Sequence, residues 1–367
     1  MFIKRLKTIG GLSSLSRYVN MLAGIASYIP TTNSTAIIIP ANASPYWQIQ
    51  NWYNGTTIGF NGKYADPSSN ITYYLQGSSF SRTKGYVGAA YAFSPYIGVW
   101  AFNDAVGFGT KYGNPTTLPA GPANDIQLDM DNGYVFVAHD TSPYISVYNF
   151  TTSAGFGSKI ANPSSLSTST GRNVQYSNET VFLGTASSPF INAYIFNGTF
   201  GTKYSNPATL PTYGGSSLAI HPSGSAAGTG GLSGLYLYAW NKYSGFGTKY
   251  AQPSSNPYAD TVKFSSTGNT VALASQGTSP YIHAYPFTIA SGFGTKYSNP
   301  ATLPPGSNQY YNNLAFSYGA AAVATGTNTT PYINAYVFSE GTGFGSKYAD
   351  PTTVYTSGSF TGGINFN

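Results

Sequence analysis

Residues 292–304 read GFGTKYSNPATLP, and residues 199–211 read TFGTKYSNPATLP, differing only at the first position. A near-identity of this length inside one chain is an internal repeat, and repeat periods of about 20–50 residues specify solenoids, propellers or arrays. Aligned on the lysine of this run, the chain holds seven copies, at Lys63, Lys111, Lys159, Lys203, Lys249, Lys296 and Lys347, spaced by 44 to 51 residues. Each lysine is followed four positions later by a proline: Pro67, Pro115, Pro163, Pro207, Pro253, Pro300 and Pro351. A second marker precedes the lysine, as SPYIGVWAF at 94–102, SPYISVYNF at 142–150, SPFINAYIF at 188–196, SPYIHAYPF at 279–287 and TPYINAYVF at 330–338. The first copy reads SPYWQIQNW at 44–52, and the fifth keeps only GLYLYAW at 234–240.

Within a unit, alternation of apolar and polar residues marks strands. In the sixth copy Val262 and Phe264 alternate with polar neighbours, and STGN is a turn. TVALAS is then an apolar second strand, QGTSP a loop and YIHAYPF a third strand. A fourth strand is expected through GTKYSNP, after a hinge supplied by Gly292 and Gly294. Four strands in about 47 residues is the size of a propeller blade. The predicted fold is therefore all-β: a seven-bladed β-propeller over residues 35–367 with four-stranded blades, preceded by an N-terminal arm, residues 1–34. The segment AIIIPANASPY aligns with VALASQGTSPY, so blade one starts on its second strand. GGINFN at 362–367 resembles the first-strand segment NNLAFS at 312–317. A C-terminal strand completing blade one would cover an otherwise open edge; IASYI at 25–29 is the rival for that place.

Composition agrees with this architecture. Only 7% of residues are charged, against 33 Tyr, 22 Phe, 43 Gly and 23 Pro. Such a chain is neither a charged disordered segment nor a helix bundle. There is no cysteine, so disulfides and thiolate metal sites are excluded. The net charge of +6 comes largely from Lys4, Arg5, Lys7 and Arg17, leaving twelve basic and ten acidic side chains over 18–367. The body carries no basic excess, so a nucleic-acid partner is not expected. No stretch approaches the roughly 20 apolar residues of a membrane-spanning helix, and no membrane partner is expected.

The repeated run contains no phosphate-binding loop, because neither GxxxxGK[ST] nor GxGxxG before a helix is present. Its glycines suit a turn, its Phe can wedge between blades, and its Asn-Pro step ends an outer strand. The seven lysines are read as repeat-structural, stems packed on aromatics and ammonium groups in water. A ring of lysines meeting an acidic partner is the alternative. His139, His221 and His283 fall in three different blades and do not form a metal-ligand pattern. Asp125, Asp129 and Asp131 form the densest acidic group and are read as a solvated hairpin turn. No GxSxG nucleophile motif occurs. The expectation is a non-enzymatic protein without metal or cofactor.

Tyrosines at fixed repeat slots, Tyr96, Tyr144, Tyr281 and Tyr332, are read as structural. Those in unrepeated junction loops, Tyr73, Tyr74, Tyr213, Tyr258, Tyr310 and Tyr311, are candidate ligand contacts, because loops of variable wording on a fixed scaffold carry specificity. Exposed aromatic rings can stack on sugars, so surface glycans are candidate partners. In the arm, Phe2, Ile3, Leu6 and Ile9 recur at helical spacing beside Lys4, Arg5 and Lys7. These residues are candidates for docking to a partner protein; a cleaved leader is the alternative.

The repeat pattern resembles the WD-repeat-like seven-bladed propellers over residues 35–367, although no blade carries a Gly-His or Trp-Asp signature. The wording GFGTKYxNPxxLP beside SPYIxVYxF looks like repeats of structural proteins of tailed bacteriophages. That resemblance implies a virion protein, a capsid decoration or a fibre- or tail-associated component, joined to other virion proteins through its arm. The alternative is a cell-surface adhesin or carbohydrate-binding propeller of a bacterium or archaeon, and a third reading is a propeller enzyme whose site the sequence does not mark.

Overall fold

The computed structural model of the chain describes residues 35–41, 44–53, 59–69, 73–81, 85–232, 234–253, 258–277, 279–306, 313–353 and 362–367. The described residues form seven four-stranded antiparallel sheets. From centre to rim, blade two consists of Leu75–Ser81, Tyr86–Tyr91, Ile97–Asn103 and Gly107–Lys111. Blade three is Ala123–Asp129, Tyr134–His139, Ile145–Thr151 and Gly155–Lys159, and blade four Gly171–Ser177, Thr180–Thr185, Ile191–Phe196 and Phe200–Lys203. Blade five is Ser217–Ile220, Ala226–Gly231, Gly234–Asn241 and Gly245–Lys249. Blade six is Thr261–Phe264, Thr270–Ala274, Ile282–Thr288 and Gly292–Phe293; blade seven is Leu314–Phe316, Ala322–Gly326, Ile333–Ser339 and Gly343–Lys347. Blade one takes Ala36–Pro40, Trp47–Tyr53 and Gly59–Lys63, and its innermost strand is Asn365–Phe366. Successive inner strands touch all the way round, so the seven sheets form a closed ring.

The closure expected at the C-terminus is present. Ile37 pairs with Phe366 and Ile38 with Asn365. Asn367 Oδ1 accepts from the Thr35 and Ala36 amides at 2.7 and 2.9 Å, and Phe366 packs edge-on against Trp52 at 5.0 Å.

The apolar clusters lie between blades. One joins Ile97 and Val99 of blade two to Ile126, Val135, Val137 and Phe150 of blade three. The second strands are covered on both faces, which is why TVFLGT and TVALA are buried along their whole length and show no alternation. Outer strands end at the repeat lysine, three residues short of the Asn-Pro step, and in blade six the strand is only Gly292–Phe293. The fourth strand is thus earlier than the sequence suggested: GFGTK pairs, and YSNP already belongs to the connection.

This pairing explains the repeated run. Tyr112 follows the lysine of blade two and lays its ring on Gly155, which opens the outer strand of blade three. A Cβ at Gly155 would sit 2.8 Å from Tyr112 Cδ1, and its φ is +79°. The Tyr112 hydroxyl donates to the Thr152 carbonyl at 2.9 Å. The same contact joins Tyr64 to Gly107, Tyr204 to Gly245, Tyr250 to Gly292, Tyr297 to Gly343 and Tyr348 to Gly59. The junction of blades three and four is the exception. There Ile160 replaces the tyrosine, Thr199 replaces the glycine, and the shorter turn moves the left-handed residue to Gly198, at φ 94°. Ring, glycine and turn length change together because they are one inter-blade contact.

Candidate functional site

The inner strands line a central channel, and polar side chains there bind each blade to the next. Asp125 Oδ2 accepts from Val174 N at 3.1 Å, Asn173 Oδ1 from Leu218 N at 2.9 Å, Ser217 Oγ from Val262 N at 3.1 Å, and Thr261 Oγ1 from Asn313 N at 3.0 Å. All four acceptors stand at the same inner-strand position. Elsewhere Asn365 Nδ2 donates to Ser78 O at 2.6 Å and Leu128 N donates to Ser79 Oγ at 3.2 Å.

A cavity of about 270 Å³ opens into the channel, walled by the inner strands of blades one, two, three, four and six. It contains Lys263 from blade six and Asp125 from blade three. Asp125 is buried, and burial pushes its carboxyl from 3.8 up to about 7, against opposing help from Lys263 and from the Val174 and Ile126 amides. Burial likewise lowers the Lys263 ammonium, with Asp125 opposing the shift. A carboxyl near neutrality beside a desolvated amine in a cavity is the kind of pair that binding and catalytic sites use. The solvated-turn reading is therefore corrected for Asp125: only Asp129 and Asp131 belong to the hairpin end. The clue available in the sequence was the column Asp125, Asn173, Ser217, Thr261 and Asn313, a polar residue directly before an apolar or alternating stretch in five of the seven inner-strand segments.

A second feature is the face on which each blade's chain enters and leaves. An inner strand begins there, the loop between second and third strands lies there, and the outer strand ends there. The described junction tyrosines all fall on this face: Tyr73 and Tyr74 between blades one and two, Tyr213 between four and five, and Tyr258 between five and six. Tyr73 packs on exposed Phe93 with ring centroids 4.4 Å apart, and Tyr213, 46% exposed, lies 6.4 Å from Phe190 and nearly parallel to it. Tyr258 is 52% exposed and faces Gly277 of the neighbouring loop. These rings share a face at three junctions and do not converge on one pocket. Tyr310 and Tyr311 lie outside the described residues, as do Phe2, Ile3, Lys4, Arg5, Leu6, Lys7 and Ile9. The fixed-slot aromatics Tyr96, Tyr144, Phe190, Tyr281 and Tyr332 are half-buried with φ between 60° and 70°, each just after a cis proline.

The repeat lysines bind locally. Lys63 pairs with Asp66 at 2.6 Å, Lys159 with Asn162 at 2.6 Å, Lys203 with Asn206 at 3.2 Å, Lys296 with Asn299 at 2.7 Å, and Lys347 with Asp350. Lys111 lies over Trp100 at 5.2 Å and Lys249 over Tyr236 at 4.9 Å. Partial burial lowers the ammonium groups of Lys111, Lys159, Lys203 and Lys296. Five of the seven ammonium groups thus cap the turn that follows, tied to the residue three positions on, where the sequence suggested free hydration.

The three histidines are taken up by packing. His139 is buried 2.9 Å from Ser146 Oγ, and burial lowers its ring to about 4. His283 is lowered to about 4 for the same reason, with Lys296 adding to the shift. His221 Nδ1 lies 2.7 Å from Ser223 Oγ. Among the described residues no group of three or more acidic or imidazole side chains is placed to hold a metal ion, and no helix is long and apolar enough to cross a membrane.

No family profile matches the sequence, and no curated protein matches it. Solved structures do. A candidate 6-phosphogluconolactonase of Bacteroides uniformis superposes with a TM-score of 0.68 at 12% identity, covering 92% of this chain and 100% of that one. The periplasmic gluconolactonase of Pseudomonas aeruginosa gives 0.64 at 13%, covering 90% and 98%. A protein of unknown function from Desulfotomaculum acetoxidans gives 0.63 at 13%, covering 91% and 99%. These likenesses establish the propeller fold. They also overturn the expectation of a non-enzymatic chain, which rested on missing motifs: proteins named as lactonases share this architecture, so the absence of familiar motifs excludes no activity.

Proposed function

We propose that this chain is a recognition propeller of a virion, which presents its junction-loop face to surface glycans and is joined to other virion proteins through residues 1–34. The observation that carries the recognition reading is the set of exposed, unrepeated aromatic rings on one face: Tyr73 with Phe93, Tyr213, which lies against the half-buried repeat-slot ring of Phe190, and Tyr258. Aromatic rings of this kind offer flat apolar contact at small entropic cost. They stand where loops vary on a rigid scaffold. The virion setting is supported by the wording of the repeats. The test of recognition is a glycan array probed with the full chain and with Tyr213→Ala and Tyr258→Ala variants. Selective binding that both variants weaken supports the reading; binding to no glycan, or binding unchanged in both variants, refutes it. A second reading, hydrolysis of a sugar lactone, is favoured by the names of two similar structures, and a gluconolactone assay against the uncatalysed rate tests it.

A further inference from the structure

The inner strands place one residue per blade at a single level of the channel. In strand register this level holds Ser79, Gln127, Gln175, Ala219, Ala315 and Asn365, with Lys263 as its one charged member. The neutral polar members are engaged with main chain. Gln127 donates to Tyr176 O and accepts from Tyr176 N. Gln175 donates to Leu218 O at 3.3 Å, Asn365 donates to Ser78 O at 2.6 Å, and Ser79 accepts from Leu128 N at 3.2 Å. Lys263 is different: its ammonium donates to no described residue, and it lines the cavity beside the neighbouring Ala219 and Ala315 positions, which offer no acceptor.

We propose that the channel cavity is a binding site for a small oxyanion, a carboxylate or phosphate group held by Lys263. The cavity of about 270 Å³ accommodates such a group with its water, and Ser78, Ser79 and Gln175 supply further polar lining. Asp125 is the one acidic residue of the lining. The other charged residues on the inner strands or just beside them, Asp129, Arg172 and Asp260, do not line the cavity; Asp129 is tied to Asn132, and Asp260 accepts from Gln276 N at 2.8 Å. Because burial holds the Asp125 carboxyl near neutrality, it repels a bound anion only as pH rises through about 7. For acetate, whose charge is the same at pH 6 and pH 8, affinity therefore falls with rising pH across that range.

The test is isothermal titration calorimetry of the full chain with inorganic phosphate and, separately, acetate, at constant ionic strength and at pH 6 and pH 8. The two titrations distinguish a phosphate from a carboxylate site. Lys263→Gln is a suitable variant because glutamine already fills this position in blades three and four, and its thermal midpoint reports whether the fold is kept. Saturable binding is expected, weakened at least about tenfold by Lys263→Gln. Asp125→Asn, which copies Asn173 of the next blade, is expected to bind acetate at pH 6 as the parent does, since burial already keeps that carboxyl mostly protonated there. If neither anion saturates below about 10 mM, or if Lys263→Gln binds like the parent, the proposal is overturned.

Discussion

The contact between Tyr112 and Gly155 allows a sharp prediction, because a second glycine on the same strand serves as its control. Gly155→Ala places a Cβ 2.8 Å from Tyr112 Cδ1 at a residue with φ +79°. The left-handed conformation costs an alanine about 1 kcal/mol, and overpacking against the ring adds about 1–3 kcal/mol. A total near 3 kcal/mol, divided by an unfolding entropy of about 0.7 kcal/mol/K for a propeller of this length, lowers the thermal midpoint by about 4 °C. Gly157 has no positive φ, and a Cβ there would meet Asn149 at 3.3 Å from its Cβ and 3.6 Å from its carbonyl oxygen, so the midpoint of Gly157→Ala should move by about 1 °C or less. Tyr112→Ile, copying Ile160, loses the hydroxyl bond to Thr152 and the ring-edge contacts, roughly 2 kcal/mol together. In the double variant the steric part of the glycine penalty disappears while the backbone part stays. Its total should fall short of the sum of the singles by about 1–2 kcal/mol. The assay is scanning calorimetry of all four variants. Additivity within about 0.5 kcal/mol, or equal effects of Gly155→Ala and Gly157→Ala, would refute the idea that the repeated run is an inter-blade contact.

Other outcomes follow from the closure and the channel. Phe366→Ala should lower stability by about 3 kcal/mol, since it empties the space against Trp52 at the seam of blades seven and one; calorimetry reads it. The Asp125 carboxyl has a folded value of about 7 against 3.8 unfolded. Folding therefore binds its proton more tightly, and the contribution of this group is lost as pH rises from about 4 to about 7. Thermal midpoints of Asp125→Asn minus those of the parent should accordingly climb over that window and level off above it; a flat difference would contradict the burial. His139 and His283, lowered to about 4, act in the opposite sense, losing stability as pH falls from 6.5, and they cancel in that difference. Lys347→Met should cost no more than about 1 kcal/mol, because its partner Asp350 is largely exposed and solvent screens the pair.

The blade count, the strand order and the C-terminal closure were legible because a repeat writes the same physical contact many times. The run GFGTKY records a turn, an outer strand and the ring that docks on the next blade, and its one deviant junction, Ile160 with Thr199, shows the contact by its change. The end of the outer strand was less legible: a lysine and tyrosine after GFGT look like strand residues, yet the tyrosine turns away to the neighbouring blade. Asp125 was misread because DMDNG lies close behind it and suggested a solvated turn. Its place in a column of polar residues at the channel emerges only when the inner strands are laid side by side. Lys263 was passed over as one cation in an alternating strand, since a sequence does not say which strands face a common axis.

Display on a particle is tested directly by mass spectrometry of virus particles purified from the encoding source, comparing the full chain with a form lacking residues 1–34. The account predicts the full-length protein at stoichiometric copy number and the truncated form missing from particles. Particles that contain neither form would contradict it, and particles that take up the truncated form equally well would show that the arm is not the attachment.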